Sequence, residues 1–192
     1  MRGLVSALIL CSLASFGAQV SPEADPEKVH EERAVLVLQG KPAITVRGYA
    51  LVLGANGATM NRITNTFARE AVELVLRRNG IPVVESCEGG ATNCGKLNAE
   101  IDANCSKTEL LAANDRLCVA EIKFQFLENS YSARPAGGSS ADLNYRGFCV
   151  VWEEPFVPML TTDKLLPDEA RRRWEESADK FSLYYLRANP AR

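Results

Sequence analysis

Histidine is nearly missing from this chain: one residue, His30, in 192. A catalytic triad, a histidine general base or a His-rich metal centre therefore has almost no material to be built from. An excess of either charge is missing too. Lys+Arg 22 stand against Asp+Glu 24, a formal net charge of −2, so the basic footprint of a nucleic-acid binder is absent. No G-x-S-x-G, H-E-x-x-H or S-x-x-K pattern falls at a useful place, and no C-x-x-C spacing offers a zinc or redox pair. The reading therefore assigns no catalytic residue, no cofactor and no metal. What is there, 46% hydrophobic and 24% charged residues, is the composition of an ordinary globular chain of one domain.

The first eighteen residues, MRGLVSALILCSLASFGA, have the layout of a secretory signal peptide. Arg2 supplies the positive start, Leu4 to Leu13 the short apolar stretch, and Ala14, Ser15, Gly17 and Ala18 the small residues near a cleavage site. The apolar run is shorter than the roughly 20 residues a spanning helix needs, and no later segment could span. Removing residues 1–18 takes away Arg2 and Cys11, leaving Cys87, Cys94, Cys105, Cys118 and Cys149. In an oxidising secreted or periplasmic compartment these five become disulfide candidates, two bridges in any of fifteen pairings with one thiol over.

Residues 19–33, with two prolines and mixed charge, read as a flexible lead-in, and His30 within it as a bystander. Residues 34–190 form the single domain. Its apolar runs Ala34–Leu38 and Ile44–Leu53 come first, the second as a strand. From Thr59 to Asn79 the residues Met60, Ile63, Phe67, Ala71, Leu74 and Val75 recur at three- and four-residue spacing, one face of a helix closed by Gly80 and Pro82. Ile81–Val84 reads as a short strand. Residues 85–116, with three cysteines and few apolar residues, read as an irregular insert held by cross-links. Cys118 to Phe126 alternates as a strand, 129–142 is a loop, Leu143–Trp152 is the returning strand, and Phe156–Leu160 a short edge strand. A symmetric hairpin sets Cys149 near Ile122. Pro167, Asp168 and Glu169 start a last helix with Ala170, Trp174, Ala178, Phe181 and Tyr185 inward, stopped at Asn189-Pro190. The order β-α-β-insert-β-β-α predicts an α+β fold, a mostly antiparallel sheet packed on one face by two helices.

Two stretches, Phe67–Val84 (FAREAVELVLRRNGIPVV) and Ala178–Pro190 (ADKFSLYYLRANP), resemble a family of small secreted bacterial proteins of unknown function. The likeness covers the two helices and the hairpin, about half of the mature chain. It implies a location in the bacterial envelope or outside the cell and the same order of elements. It carries no catalytic residues, and the cysteine-rich insert departs from the family pattern. A looser, topology-level likeness is to envelope-assembly lipoproteins, and a fold alone does not fix a function.

One local pattern carries chemistry. In LVLGANGATMNR a strand runs through Gly54 and Gly57 to Thr59 at the start of a helix, where free N–H groups can hold an anion. The Lys-Ser/Thr of a phosphate loop is absent, and the same residues make an ordinary strand-to-helix connection. Glu153 and Glu154, adjacent on a strand, point to opposite faces. Arg171–Arg173, with acidic residues a turn away, read as an ion-paired exposed face. The expected function is a non-catalytic binding or envelope-assembly module with an unknown protein or envelope partner. The alternative is a small enzyme or phosphate binder using Gly54, Gly57 and Thr59.

Overall fold

The computed structural model describes residues 25–86, 94–109, 111, 115–131, 146–154 and 158–190. The expected signal peptide, Cys87 and residues 132–142 of the expected loop lie outside them. Element order is α1 (Pro26–Leu38), β1 (Ala43–Leu53), α2 (Gly57–Arg62), α3 (Asn65–Arg78), β2 (Cys94–Lys107), β3 (Arg116–Tyr131), β4 (Arg146–Glu153), β5 (Met159–Thr162) and α4 (Leu166–Ala188). The expected α+β fold with a mostly antiparallel sheet is what forms. The strands run β1-β2-β3-β4 with β5 also paired to β3, and only β1–β2 is parallel.

α4 is the helix the sequence predicts. Ala170, Trp174, Ala178, Phe181 and Tyr185 are all buried, at a spacing of three or four residues that keeps them on one stripe. Phe181 sits about 6 Å from the rings of Phe124, Phe126 and Trp152, which join α4 to the sheet. The helix end is also fixed: Asn189 donates to the Leu38 carbonyl at 3.0 Å and accepts from Gly40 N–H at 3.0 Å.

Several expectations need correction. Residues 26–33, read as flexible, are the first turns of α1. Asp25 caps it by accepting from the Glu27 N–H at 3.0 Å, and Pro26 occupies the first position, where its missing donor costs nothing. His30, Ala34 and Leu38 make its inward stripe, so the helix periodicity begins at a histidine and not at an apolar residue. The expected helix from Thr59 is two helices. Thr64 interrupts it by capping α3 through the Phe67 N–H, which rotates the buried face onto Ala68, Ala71, Val72, Val75 and Leu76 and leaves Leu74 63% exposed. Ile81–Val84 makes a single bridge, Val83 to Ile44, and no strand of its own.

The largest correction concerns residues 85–116. Fourteen of them are β2, which lies between β1 and β3 inside the sheet. Leu97, Ala99, Ile101, Ala103 and Cys105 alternate inward and are all buried, while Lys96, Glu100, Asp102 and Asn104 alternate outward. Small side chains suit a sheet crossed closely by a helix. At Gly48 on the neighbouring β1, an added Cβ would lie 2.0 Å from the Asn65 carbonyl oxygen of α3. The hairpin register also differs, since Cys149 pairs with Glu128 and Phe126 with Trp152. β3 runs to Tyr131, three residues into the expected loop, and the edge strand is Met159–Thr162. Helices α1, α3 and α4 gather on one side, one helix more than expected, and among the described residues no element covers the other face of the sheet.

Candidate functional site

The Gly54–Thr59 turn, the lone histidine and the open face of the sheet are the three places where chemistry gathers. Gly54 takes a left-handed φ of 70° against β2, where a Cβ would lie 2.1 Å from the Cys105 carbonyl oxygen. Asn56 caps the short helix α2 by accepting from Thr59 N–H at 2.9 Å. Behind the turn lies Asp163, with no solvent exposure. One of its oxygens accepts from Asn56 N–H at 3.3 Å and Asn56 Nδ2 at 2.5 Å, and the other from Arg116 N–H at 3.3 Å. The Thr59 hydroxyl, itself buried, donates to the Asp163 carbonyl at 2.8 Å. The fold thus brings Gly54, Gly57 and Thr59 together, and places a carboxylate of its own behind the turn.

In front of this turn is a groove of about 650 Å³ whose charged lining is Arg62, Lys107, Arg116 and Lys164. Lys107 and Arg116 face each other directly across the β2–β3 pair. Two residues further along the same strands, Cys105 and Cys118 are also directly opposed and joined by a buried disulfide. Cys94 is disulfide-bonded as well. Lys164 pairs with Asp115 at 2.5 Å, and this bond, with the nearby Asp163 charge, raises its pKa. Arg62 pairs with Asp168 at 2.8 Å.

His30 lies in a helix packed on the sheet, not in a flexible lead-in. α1 lays its ring 5.4 Å from the Trp152 ring and its Nε2 3.7 Å from Glu154 Oε2, and among the described residues neither of those two polar atoms has a hydrogen bond. Lys180 holds the other Glu154 oxygen at 2.7 Å, which raises the lysine pKa. Glu153, one residue earlier, accepts instead from Gln125 on the open face, so the two carboxylates diverge as expected. A cavity of about 160 Å³ adjoins, floored by Ile122, Phe124 and Met159 and walled by Glu154, Arg173, Ser177 and Lys180. Ser177 and Lys180 share its wall, but a lysine held protonated by a carboxylate is a poor general base. Arg172 is ion-paired to Glu169 and Glu176 on the exposed face, as read from the sequence. Among the described residues no His, Cys, Asp and Glu cluster is placed to hold a metal ion.

The open face carries three cross-strand rows. Tyr49, Glu100 and Lys123 form one, Leu51, Asp102 and Glu121 the next, and Leu53, Asn104, Val119 and Leu160 the third. All five of its large apolar side chains named here are half exposed or more, from Leu53 at 50% to Leu160 at 67%. Asp102 and Glu121 oppose each other, a like-charge pair that weakens a sheet. Lys123 pairs with Glu121 at 3.2 Å, which raises its pKa. This face is hidden in the sequence because β2 reads there as an irregular insert and not as a strand. The alternation of Asn98, Glu100, Asp102 and Asn104 with small apolar residues was the available signal.

No protein-family model and no curated protein matches this chain. Among the described residues no helix is long and apolar enough to cross a membrane.

Proposed function

We propose that this chain is an exported, non-catalytic binding module of the bacterial envelope, and that it engages its partner through the open face of the sheet. The observation that carries the reading is the exposure of Tyr49, Leu51, Leu53, Val119 and Leu160 on three adjoining rows around Glu100, Asp102 and Glu121. Contiguous apolar surface rimmed by polar groups is where soluble domains are bound. The two acidic residues opposed across β2 and β3 weaken the isolated sheet and suit a partner that brings basic side chains among apolar ones. The Cys105–Cys118 bridge supports an oxidising compartment, and the resemblance to small secreted bacterial proteins supports export.

The experiment is cross-linking in the native host followed by mass spectrometry, comparing the natural chain with the variant Leu51→Lys/Leu160→Lys and with a helix-side control, Arg172→Gln. Loss of the cross-linked species from the sheet-face variant alone is the expected result. The same species recovered from all three chains would refute the assignment of this face.

A further inference from the structure

The basic groove in front of the Gly54–Thr59 turn is independent of the sheet face. It is built from three elements and a turn of a chain whose net charge is negative: Arg62 ends α2, Lys107 ends β2, Arg116 begins β3, and Lys164 lies between β5 and α4. Arg62 and Lys164 are distant in sequence from Lys107 and Arg116, which lie nine positions apart and are set opposite each other by the β2–β3 register. Like charges directly opposed across a strand pair destabilise it. Here that arrangement is held by the covalent Cys105–Cys118 staple one row away. Among the described residues neither Lys107 nor Arg116 has a carboxylate partner. Arg116 directs one guanidinium N–H to the Gly54 carbonyl and lines the groove with a group that carries five donors. Of the two remaining cations, Arg62 is tied to Asp168 by an exposed ion pair, which contributes little and exchanges readily for a better acceptor, and Lys164, itself exposed, is held by the largely buried Asp115.

We propose that this groove binds a phosphate-bearing ligand through Lys107 and Arg116, with Arg62 and Lys164 completing the cation set. The N-terminus of α2 is not the site, because Asn56 and Thr59 are engaged by Asp163 and by each other. A phosphate suits the pair better than a single carboxylate. A planar guanidinium beside a point-like ammonium matches its tetrahedral oxygens, which a monoester and a phosphodiester headgroup both present, the monoester with about two negative charges and the diester with one. The buried Asp163 carboxylate lowers the positive field from behind without reaching into the groove, since its oxygens are taken by Asn56 and Arg116 N–H. A free phosphate ester and a phospholipid headgroup share this chemistry.

The chain, purified with its disulfides intact, is titrated with inorganic pyrophosphate at constant ionic strength, following the backbone amide resonances of Asn56, Thr59, Lys107 and Arg116. A parallel arm sediments the chain with vesicles of phosphatidylglycerol plus phosphatidylcholine, and with vesicles of phosphatidylcholine alone. Saturable shifts in the natural chain, weakened about tenfold in Lys107→Glu and unchanged in Lys123→Gln, are expected. Lys107 is exposed, so that variant keeps the fold, and Arg116→Lys supplies a second one that retains charge but loses the fork. Sedimentation with the anionic vesicles alone, lost in Lys107→Glu, identifies a headgroup source; pyrophosphate shifts without sedimentation identify a soluble one. Shifts that fail to saturate with no vesicle binding, or that weaken equally in Lys107→Glu and Lys123→Gln, would overturn the proposal.

Discussion

Asp163 decides whether the turn stands as the structure describes it. Its side chain is fully buried and accepts from Asn56 and from the Arg116 N–H, joining the β1–α2 turn, the start of β3 and the β5–α4 turn. Asp163→Ala removes two acceptor sites, counting the two Asn56 donors to one oxygen as a single site. Net hydrogen bonds to a charged group contribute about 1.5 kcal/mol each at the lower end, so the loss is about 3 kcal/mol. For a domain of this size that lowers the midpoint of thermal unfolding by about 6–12 °C. Asp163→Asn keeps the shape and one acceptor oxygen, and should lose about half as much. A double-mutant cycle with Asn56→Ala isolates the link between the two residues, with an expected coupling of about 1.5 kcal/mol. Far-ultraviolet circular dichroism during heating and urea unfolding are the assays. Refutation would be an Asp163→Ala chain within 1 °C of the natural one, or additive single and double variants; either would mean that the carboxylate does not hold the turn.

Two further tests address the sheet. Cys105 and Cys118 are separated by 13 residues, so their replacement by alanine should destabilise the protein by about 3 kcal/mol through the freed loop, measured by urea unfolding of the double variant. An unchanged midpoint would show that β2 and β3 are held without the bridge. Gly48→Ala drives a Cβ into the Asn65 carbonyl and should cost about 1–3 kcal/mol, whereas Gly57→Ala, with open space around it, should stay within about 0.5 kcal/mol. Equal thermal midpoints for these two variants would contradict the close crossing of α3 over β1.

Much of the architecture was written locally. The Ala170–Tyr185 stripe of α4, the alternation of Cys118–Phe126, and Gly80 with its positive φ at the end of α3 each state their structure within one turn or one strand. Elements whose identity depends on a distant neighbour were not legible. Three of the five inward residues named for β2 are two alanines and a cysteine, so its alternation carries little hydrophobic contrast until a helix is laid across it. α1 begins its inward stripe with His30, which counts as polar in a sequence and as a ring against Trp152 in the fold. The break between α2 and α3 rests on one threonine hydroxyl taking the Phe67 N–H.

The candidate sites divide in the same way. Sequence alone determined that histidine chemistry is scarce, that cysteines suit an oxidising compartment, and that Gly54, Gly57 and Thr59 meet at a strand-to-helix turn. Tertiary structure alone placed Asp163 behind that turn, Lys107 against Arg116 in front of it, Glu154 between His30 and Lys180, and three mixed rows on an uncovered sheet face. The physical reason is range. Capping, periodicity and turn conformation act between residues a few positions apart, so a sequence displays them. Charge pairing and strand register also join residues far apart in the chain, and they exist only once the sheet has fixed which residues are opposite.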